Sequence, residues 1–110
     1  MDINVKTLAD GVAIVHLGGR LNMVSAAQLR DRVAALVSEG SSRIAVDLAQ
    51  VEFIDSSGLG ALIGGLKTAR QAGGDLRIAK PTEQAQLVLQ LTNLDRVLVT
   101  YSSAEAAFSA

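Results

Sequence analysis

Val51-Glu52-Phe53-Ile54-Asp55-Ser56-Ser57-Gly58-Leu59-Gly60 delivers an acid and two hydroxyls from an apolar chain end to the start of a helix. Asp and Ser are preferred N-cap residues, because their side-chain oxygens accept hydrogen bonds from the otherwise unpaired N–H groups of a first turn. From Leu59 the apolar residues fall at Leu59, Leu62, Ile63 and Leu66, the spacing of one helix face. Gly73-Gly74 supplies a stop, so the helix is expected to run to about Ala72. Ser56 and Ser57 then sit at the positive end of the helix dipole, where an added phosphate is tolerated. A plain capped helix accounts for part of this. It leaves over an excess of capping groups and the run of Gly58, Gly60, Gly64 and Gly65. Each interior helical Gly costs up to ~1 kcal/mol relative to Ala. Either close packing on a sheet or a bare backbone face for a partner offsets that cost.

The whole chain narrows the setting. Its 110 residues make one domain, 1–110. At 49% hydrophobic and 19% charged it is a globular protein rather than a disordered tail. A formal net charge of -1 with scattered Lys and Arg offers no basic field for nucleic acid, and 3% aromatic content offers no base-stacking platform. Without Cys there is no disulfide framework and no Cys-based zinc site. The single His16 reads as a strand side chain rather than a metal ligand. Met1 to Lys6 lacks an apolar core of signal-peptide length, and no segment approaches the ~20 apolar residues of a membrane span. A cytoplasmic protein with no membrane insertion, no metal and no cofactor is expected.

In chain order, Ile3 to Leu8 alternates as a half-exposed strand, and Asp10-Gly11 is a hairpin signal. Val12 to Leu17 is apolar on both faces and reads as a buried strand. Gly18-Gly19-Arg20-Leu21-Asn22 reads as a loop, with Asn22 placed either to cap the next helix or to face a partner. Ser25 and Gln28 fit a capping box for a helix carrying Leu29, Val33, Leu36 and Val37, ended by Gly40. Arg43 to Leu48 is the next strand, and Asp75 to Ala79 follows the central helix. Pro81 and Thr82 open a helix with Ala85, Val88, Leu89 and Leu91 inward. Arg96 to Thr100 reads as a last strand, and Ser102 and Glu105 as a second capping box for a short terminal helix. The order β-β-α-β-α-β-α-β-α predicts an α/β fold: a mixed sheet of four or five strands, helices mainly on one face, with Leu62 and Ile63 buried against it.

No catalytic set assembles. A Ser nucleophile needs a base, and the one His lies mid-strand. The Gly-x-Ser-x-Gly elbow and the Gly-x-x-x-x-Gly-Lys-[Ser/Thr] phosphate loop are both missing. Asp47, Glu52 and Asp55 imitate an acidic metal cluster but read more simply as surface. Asp47 with Leu76-Arg77-Ile78-Ala79-Lys80-Pro81 is similar to a response-regulator receiver, yet that site needs paired acids ending the first strand, which this chain lacks.

With Phe53-Ile54-Asp55-Ser56-Ser57-Gly58-Leu59-Gly60 in place, the chain resembles a STAS domain, most closely the stand-alone bacterial anti-sigma factor antagonists. Gly19-Arg20-Leu21-Asn22, Ala72-Gly73-Gly74 and the last helix–strand–helix run extend the resemblance along nearly the whole chain. It implies that the unmodified protein binds a serine-kinase anti-sigma factor and frees a sigma factor. The kinase uses ATP to phosphorylate Ser56, the modified protein lets go, and a PP2C-type phosphatase resets it. The residues alone leave Ser56 and Ser57 equal; the resemblance selects Ser56. It also implies partner contacts at Asn22, Asp55, Ser57, Gly58, Leu59, Gly60 and Ala61. Many antagonists carry Asp where this chain has Asn22, which keeps the hydrogen-bonding shape and removes a charge near the acceptor, a difference that bears on kinase recognition. Two other readings stand beside this one. One is a scaffold subunit of a lipid-transport or stress-signalling assembly in which Ser56 stays unmodified. The other is a small hydrolase using Asp55 and Ser56.

Overall fold

The structure, a computed structural model, describes residues 1–108. Strand β1 (Asp2–Thr7) and β2 (Ala13–Leu21) form an antiparallel hairpin. Asp10 accepts the Val12 N–H at its turn. Helix α1 (Met23–Ser38), β3 (Arg43–Ile54), α2 (Ser56–Gln71), β4 (Asp75–Ala79) and α3 (Glu83–Leu91) follow. A 3-10 turn at Leu94–Arg96, the short β5 (Thr100–Tyr101) and a second 3-10 turn at Glu105–Phe108 complete the order. The five strands lie in sheet order β1-β2-β3-β4-β5, and every pair after the first is parallel. A mixed sheet of this order is the architecture the sequence predicts; the receiver alternative requires an all-parallel sheet flanked on both faces.

Side chains alternate across the sheet, so each strand feeds two layers. Val15 and Leu17 of β2, Ile44, Val46 and Leu48 of β3, and Leu76 and Ile78 of β4 form one core with Leu29 and Val33 of α1, Leu59, Leu62 and Leu66 of α2, and Ala85 and Leu89 of α3. Ile14, Ala45 and Ala79 point the other way and are covered by Ala104, Ala107, Tyr101 and Phe108. The three helices thus share one face, and the C-terminal turn covers part of the other.

Several local expectations are corrected. β2 continues through Gly18-Gly19-Arg20, which the sequence reads as a loop, because β3 is long enough to pair with it up to Leu21↔Ile54. Register shifts flank the glycines, and Gly19 takes φ 100, a left-handed backbone that suits Gly in a bulge. α1 starts at Met23 with Asn22 as its cap. Ser25 is the third helical residue, and its side chain answers the cap rather than making it. The last strand is Thr100–Tyr101, not Arg96 to Thr100; Leu94–Arg96 coils into a 3-10 turn, leaving Val97 and Val99 exposed. The terminal helix is a single 3-10 turn with Ser103 accepting the Ala106 N–H. Leu91, expected inward, is exposed at the end of α3, and Ile63 is only partly buried beside a fully buried Leu62.

The α2–β4 junction carries the clearest electrostatic device. Asp75 accepts from Arg70 Nε at 3.2 Å, Arg77 Nε at 3.0 Å and the Leu76 N–H at 3.0 Å. Burial pushes this carboxyl up, but the Arg77, Leu76 and Arg70 hydrogen bonds, with the Arg70 charge, outweigh it and hold it below the ordinary value of 3.8. A depressed folded value means the contribution is present above the ordinary Asp pKa and lost as pH falls through the folded one. Asp75→Asn should therefore cost about 1 kcal/mol at neutral pH, discounted for solvent screening. In urea melts the difference from wild type should close as pH is taken well below 3.8.

Candidate functional site

Two helix starts stand side by side. β2 and β3 are parallel and end on paired residues, Leu21 and Ile54, and each is followed by one cap residue and a helix. Asn22 and Asp55 are therefore neighbouring caps, and Met23-Val24 and Ser56-Ser57 are the first two residues of neighbouring helices. Asn22 Oδ1 accepts the Val24 and Ser25 N–H groups at 3.1 and 3.2 Å. Ser25 Oγ accepts the Asn22 N–H at 2.9 Å and donates to the Arg20 carbonyl at 2.7 Å. Asn and Asp cap about equally well, so Asn22 in place of Asp keeps the turn and changes only the charge shown to a partner.

At the second helix the Asp55 carboxylate accepts the Gly58 N–H at 2.9 Å, and the Asp55 N–H donates to the Leu21 carbonyl at 3.2 Å. The helix start has four N–H groups without intrahelical partners; these bonds use two, and the Ser56 and Ser57 N–H groups remain. One acid does all the side-chain capping, which leaves both hydroxyls spare: neither has a hydrogen-bond partner among the described residues. Ser56 is exposed and Ser57 half-buried, a difference the sequence alone does not provide. A phosphate on Ser56 would meet two free N–H groups and the positive helix end, opposed by the adjacent Asp55 charge.

The glycines divide between the two explanations. A Cβ on Gly58 would overlap the Leu21 carbonyl oxygen and lie 2.8 Å from Leu21 Cγ, and one on Gly65 would sit 3.0 Å from Leu76 Cδ1. Those two are packing glycines. Gly60 has nothing within 4 Å of such a Cβ and is exposed, and Gly64 meets only Arg30 Cδ at 3.8 Å. The face open to a partner is thus narrower than the sequence suggests. Asn22, Asp55, Ser57 and Gly60 reach it, together with Ser56, while Gly58, Leu59 and Ala61 are buried against β2 and the helix-face core.

Two features escape the sequence reading. Met23 and Val24 are 74% and 75% exposed, an apolar pair directly beside Asn22. Their position off the Ala26, Leu29, Val33, Leu36 stripe is the signal that marks them as outward. Gln84 is the other, and no local pattern marks it. Its Oε1 accepts the Ile54 N–H at 3.0 Å and its Nε2 donates to the Ile54 carbonyl at 3.1 Å.

The acids do not gather. Asp47 is almost fully buried, bonded to His16 Nδ1 at 3.0 Å and to the Ala49 N–H at 2.9 Å, on the sheet face away from α1 and α2. Among the described residues no group of three His, Cys, Asp or Glu side chains is placed to hold a metal ion, and no helix is long and apolar enough to cross a membrane.

A helix-capped strand end of this kind, in a mixed sheet of this order, defines a class. The STAS domain family model matches residues 4–107, and the chain belongs to that family. The anti-sigma-B factor antagonist of Staphylococcus epidermidis is 30% identical over 95 residues, covering 86% of this chain and 88% of the relative. The crystal structure of a Thermotoga maritima protein provisionally named an anti-sigma factor antagonist superposes with TM-score 0.87 at 32% identity, covering 96% of this chain and 90% of that one. The crystal structure of an anti-sigma factor antagonist from Mycobacterium paratuberculosis superposes with TM-score 0.84 at 26% identity, covering 96% and 89%.

Proposed function

We propose that this protein is an anti-sigma factor antagonist switched by phosphorylation of Ser56. It is a cytoplasmic binding module for transcription regulation by partner switching, not an enzyme. The unmodified form binds a serine-kinase anti-sigma factor and releases the sigma factor that the kinase holds. The kinase passes the γ-phosphoryl group of ATP to Ser56 Oγ, the hydroxyl proton leaves, and ADP is the other product. A PP2C-type phosphatase hydrolyses the ester and restores the binding form.

One observation carries this reading: Ser56 is exposed at the first position of α2 with a free hydroxyl, because Asp55 alone caps the helix. The kinase docks across both helix starts. Met23 and Val24 supply apolar area, Asn22 and Asp55 supply polar edges, and Ser57 and Gly60 let a partner backbone come close. No docking element contributes a basic field, in keeping with a protein rather than nucleic-acid partner.

Incubation with the host's serine-kinase anti-sigma factor and ATP, followed by intact-mass measurement, tests the acceptor. Wild type and Ser57→Ala should gain ~80 Da, the mass of a phosphoryl group on a Ser hydroxyl. Ser56→Ala should not gain it, and the gain should be reversed by a PP2C-type phosphatase. Modification that survives in Ser56→Ala would place the acceptor elsewhere.

A further inference from the structure

β3 outruns its neighbour. β4 pairs with it only from Arg43 to Asp47, yet β3 continues to Ile54. Ile54 is 1% exposed, and buried backbone groups left unpaired are costly. On the β2 side the strand end is held by its pairing with Leu21 and by the bond from the Asp55 N–H to the Leu21 carbonyl. On the other side no strand among the described residues pairs with it, and the Gln84 carboxamide takes that place. It receives the Ile54 N–H and donates to the Ile54 carbonyl, as one residue of an adjacent strand would.

Gln84 is well placed to hold a fixed position. It lies in the first turn of α3, where Thr82 caps the helix by accepting the Ala85 N–H at 3.2 Å. Ala85 and Leu89 anchor the same helix in the core. The side chain therefore extends from a rigid base to the residue directly before Asp55 and Ser56.

We propose that Gln84 is the positioning residue of the Ser56 loop: by closing the open edge of β3 at Ile54 it fixes where the Asp55 cap and the Ser56 hydroxyl stand when a partner docks. The part concerning phosphoryl transfer rests on the Ser56 reading above. The part concerning the loop does not.

Amide hydrogen exchange by NMR on the full chain tests the loop. Gln84→Met keeps length and removes both polar atoms. Gln84→Leu also removes both polar atoms, with a branched side chain of similar size, and serves where the first variant folds poorly. In either, Ile54 exchange should speed by about tenfold or more and the Ser56, Ser57 and Gly58 resonances should move, with Val46 and Leu62 still protected. A merely structural role would speed Val46 and Leu62 in step with Ile54, and that result, or unchanged Ile54 protection, overturns the proposal. Phosphorylation with the serine-kinase anti-sigma factor and ATP then reads the acceptor: Gln84→Met should lose about tenfold in kcat with little change in KM, as expected for a misplaced reacting group. Equal kcat in variant and wild type overturns the link to transfer. A wild type that takes up no phosphate at Ser56 defeats the acceptor reading, and the exchange result alone then decides the role of Gln84.

Discussion

Ser56→Glu should lower affinity for the proposed anti-sigma kinase partner by roughly two orders of magnitude, a loss of ~3 kcal/mol, while Ser56→Ala should bind about as well as wild type. Ser56 takes no part in capping, so removing its oxygen breaks no hydrogen bond among the described residues. Docking over Met23, Val24 and Gly60 would bury position 56 beside apolar and bare-backbone surface. A neutral hydroxyl is easily desolvated there, whereas a carboxylate must be stripped of water without a partner. The fold responds in the opposite sense. An acid in the first turn of a helix is favoured by the dipole, typically by ~0.3–1 kcal/mol, less whatever repulsion Asp55 adds. Ser56→Glu should therefore melt no lower than Ser56→Ala while binding far worse, a divergence that separates a charge switch from simple damage. Titration calorimetry with wild type and both variants, with circular dichroism to confirm folding, measures it. Equal affinities in two folded variants would favour the passive scaffold. Because one carboxylate is a weak substitute for a phosphate dianion, the enzymatically phosphorylated protein should bind weaker still.

The parts of this fold legible in the sequence are those set by local chemistry. α2 is visible because its apolar period, its acid cap and its glycine stop all lie within one continuous stretch. β4 is visible because polar neighbours and Gly73-Gly74 bound it on both sides. What the sequence misplaces is decided by neighbours distant in the chain. Gly18-Gly19-Arg20 reads as a loop and forms strand only because β3 runs beside it to Ile54. Arg96 to Thr100 is apolar enough for a strand, but the chain coils into a 3-10 turn at Leu94–Arg96 and reaches β4 only at its end, with the Val99 carbonyl accepting the Ile78 N–H and Thr100 and Tyr101 pairing with Ile78 and Ala79. At the site, Asp55 and Ser56 are legible as types and positions. Which hydroxyl is exposed, which glycines pack and which face a partner depend on Leu21 and Leu76, and the support from Gln84 comes from another helix. The resemblance to STAS domains brought Ser56 forward; the geometry supplies a physical reason for preferring it to Ser57.

Gly58→Ala and Gly60→Ala, two changes alike in chemistry but two residues apart and so on nearly opposite faces of α2, should move stability in opposite directions. At Gly58 the new methyl would meet the backbone of β2, the Leu21 carbonyl oxygen and carbon, with Leu21 Cγ at 2.8 Å. Backbone cannot rotate aside as a flexible side-chain end can, so α2 must lift from the strand. The same Leu21 oxygen accepts the Asp55 N–H, so lifting the helix also weakens the cap. Overpacking of this kind costs about 1–3 kcal/mol, and the shared hydrogen bond places Gly58→Ala at the upper end of that range. At Gly60 the methyl enters open space on an exposed face, and exchanging a helical Gly for Ala gains up to ~1 kcal/mol. Urea melts of the two variants should therefore lie on either side of wild type. If Gly58→Ala were neutral, the close approach of α2 to β2 would not be what requires a glycine there. Gly60→Trp completes the comparison, because the same open space that accepts a methyl accepts an indole: the domain should stay folded while binding of the anti-sigma kinase weakens. Binding that is unaffected by an indole at position 60 would move the docking face away from the start of α2.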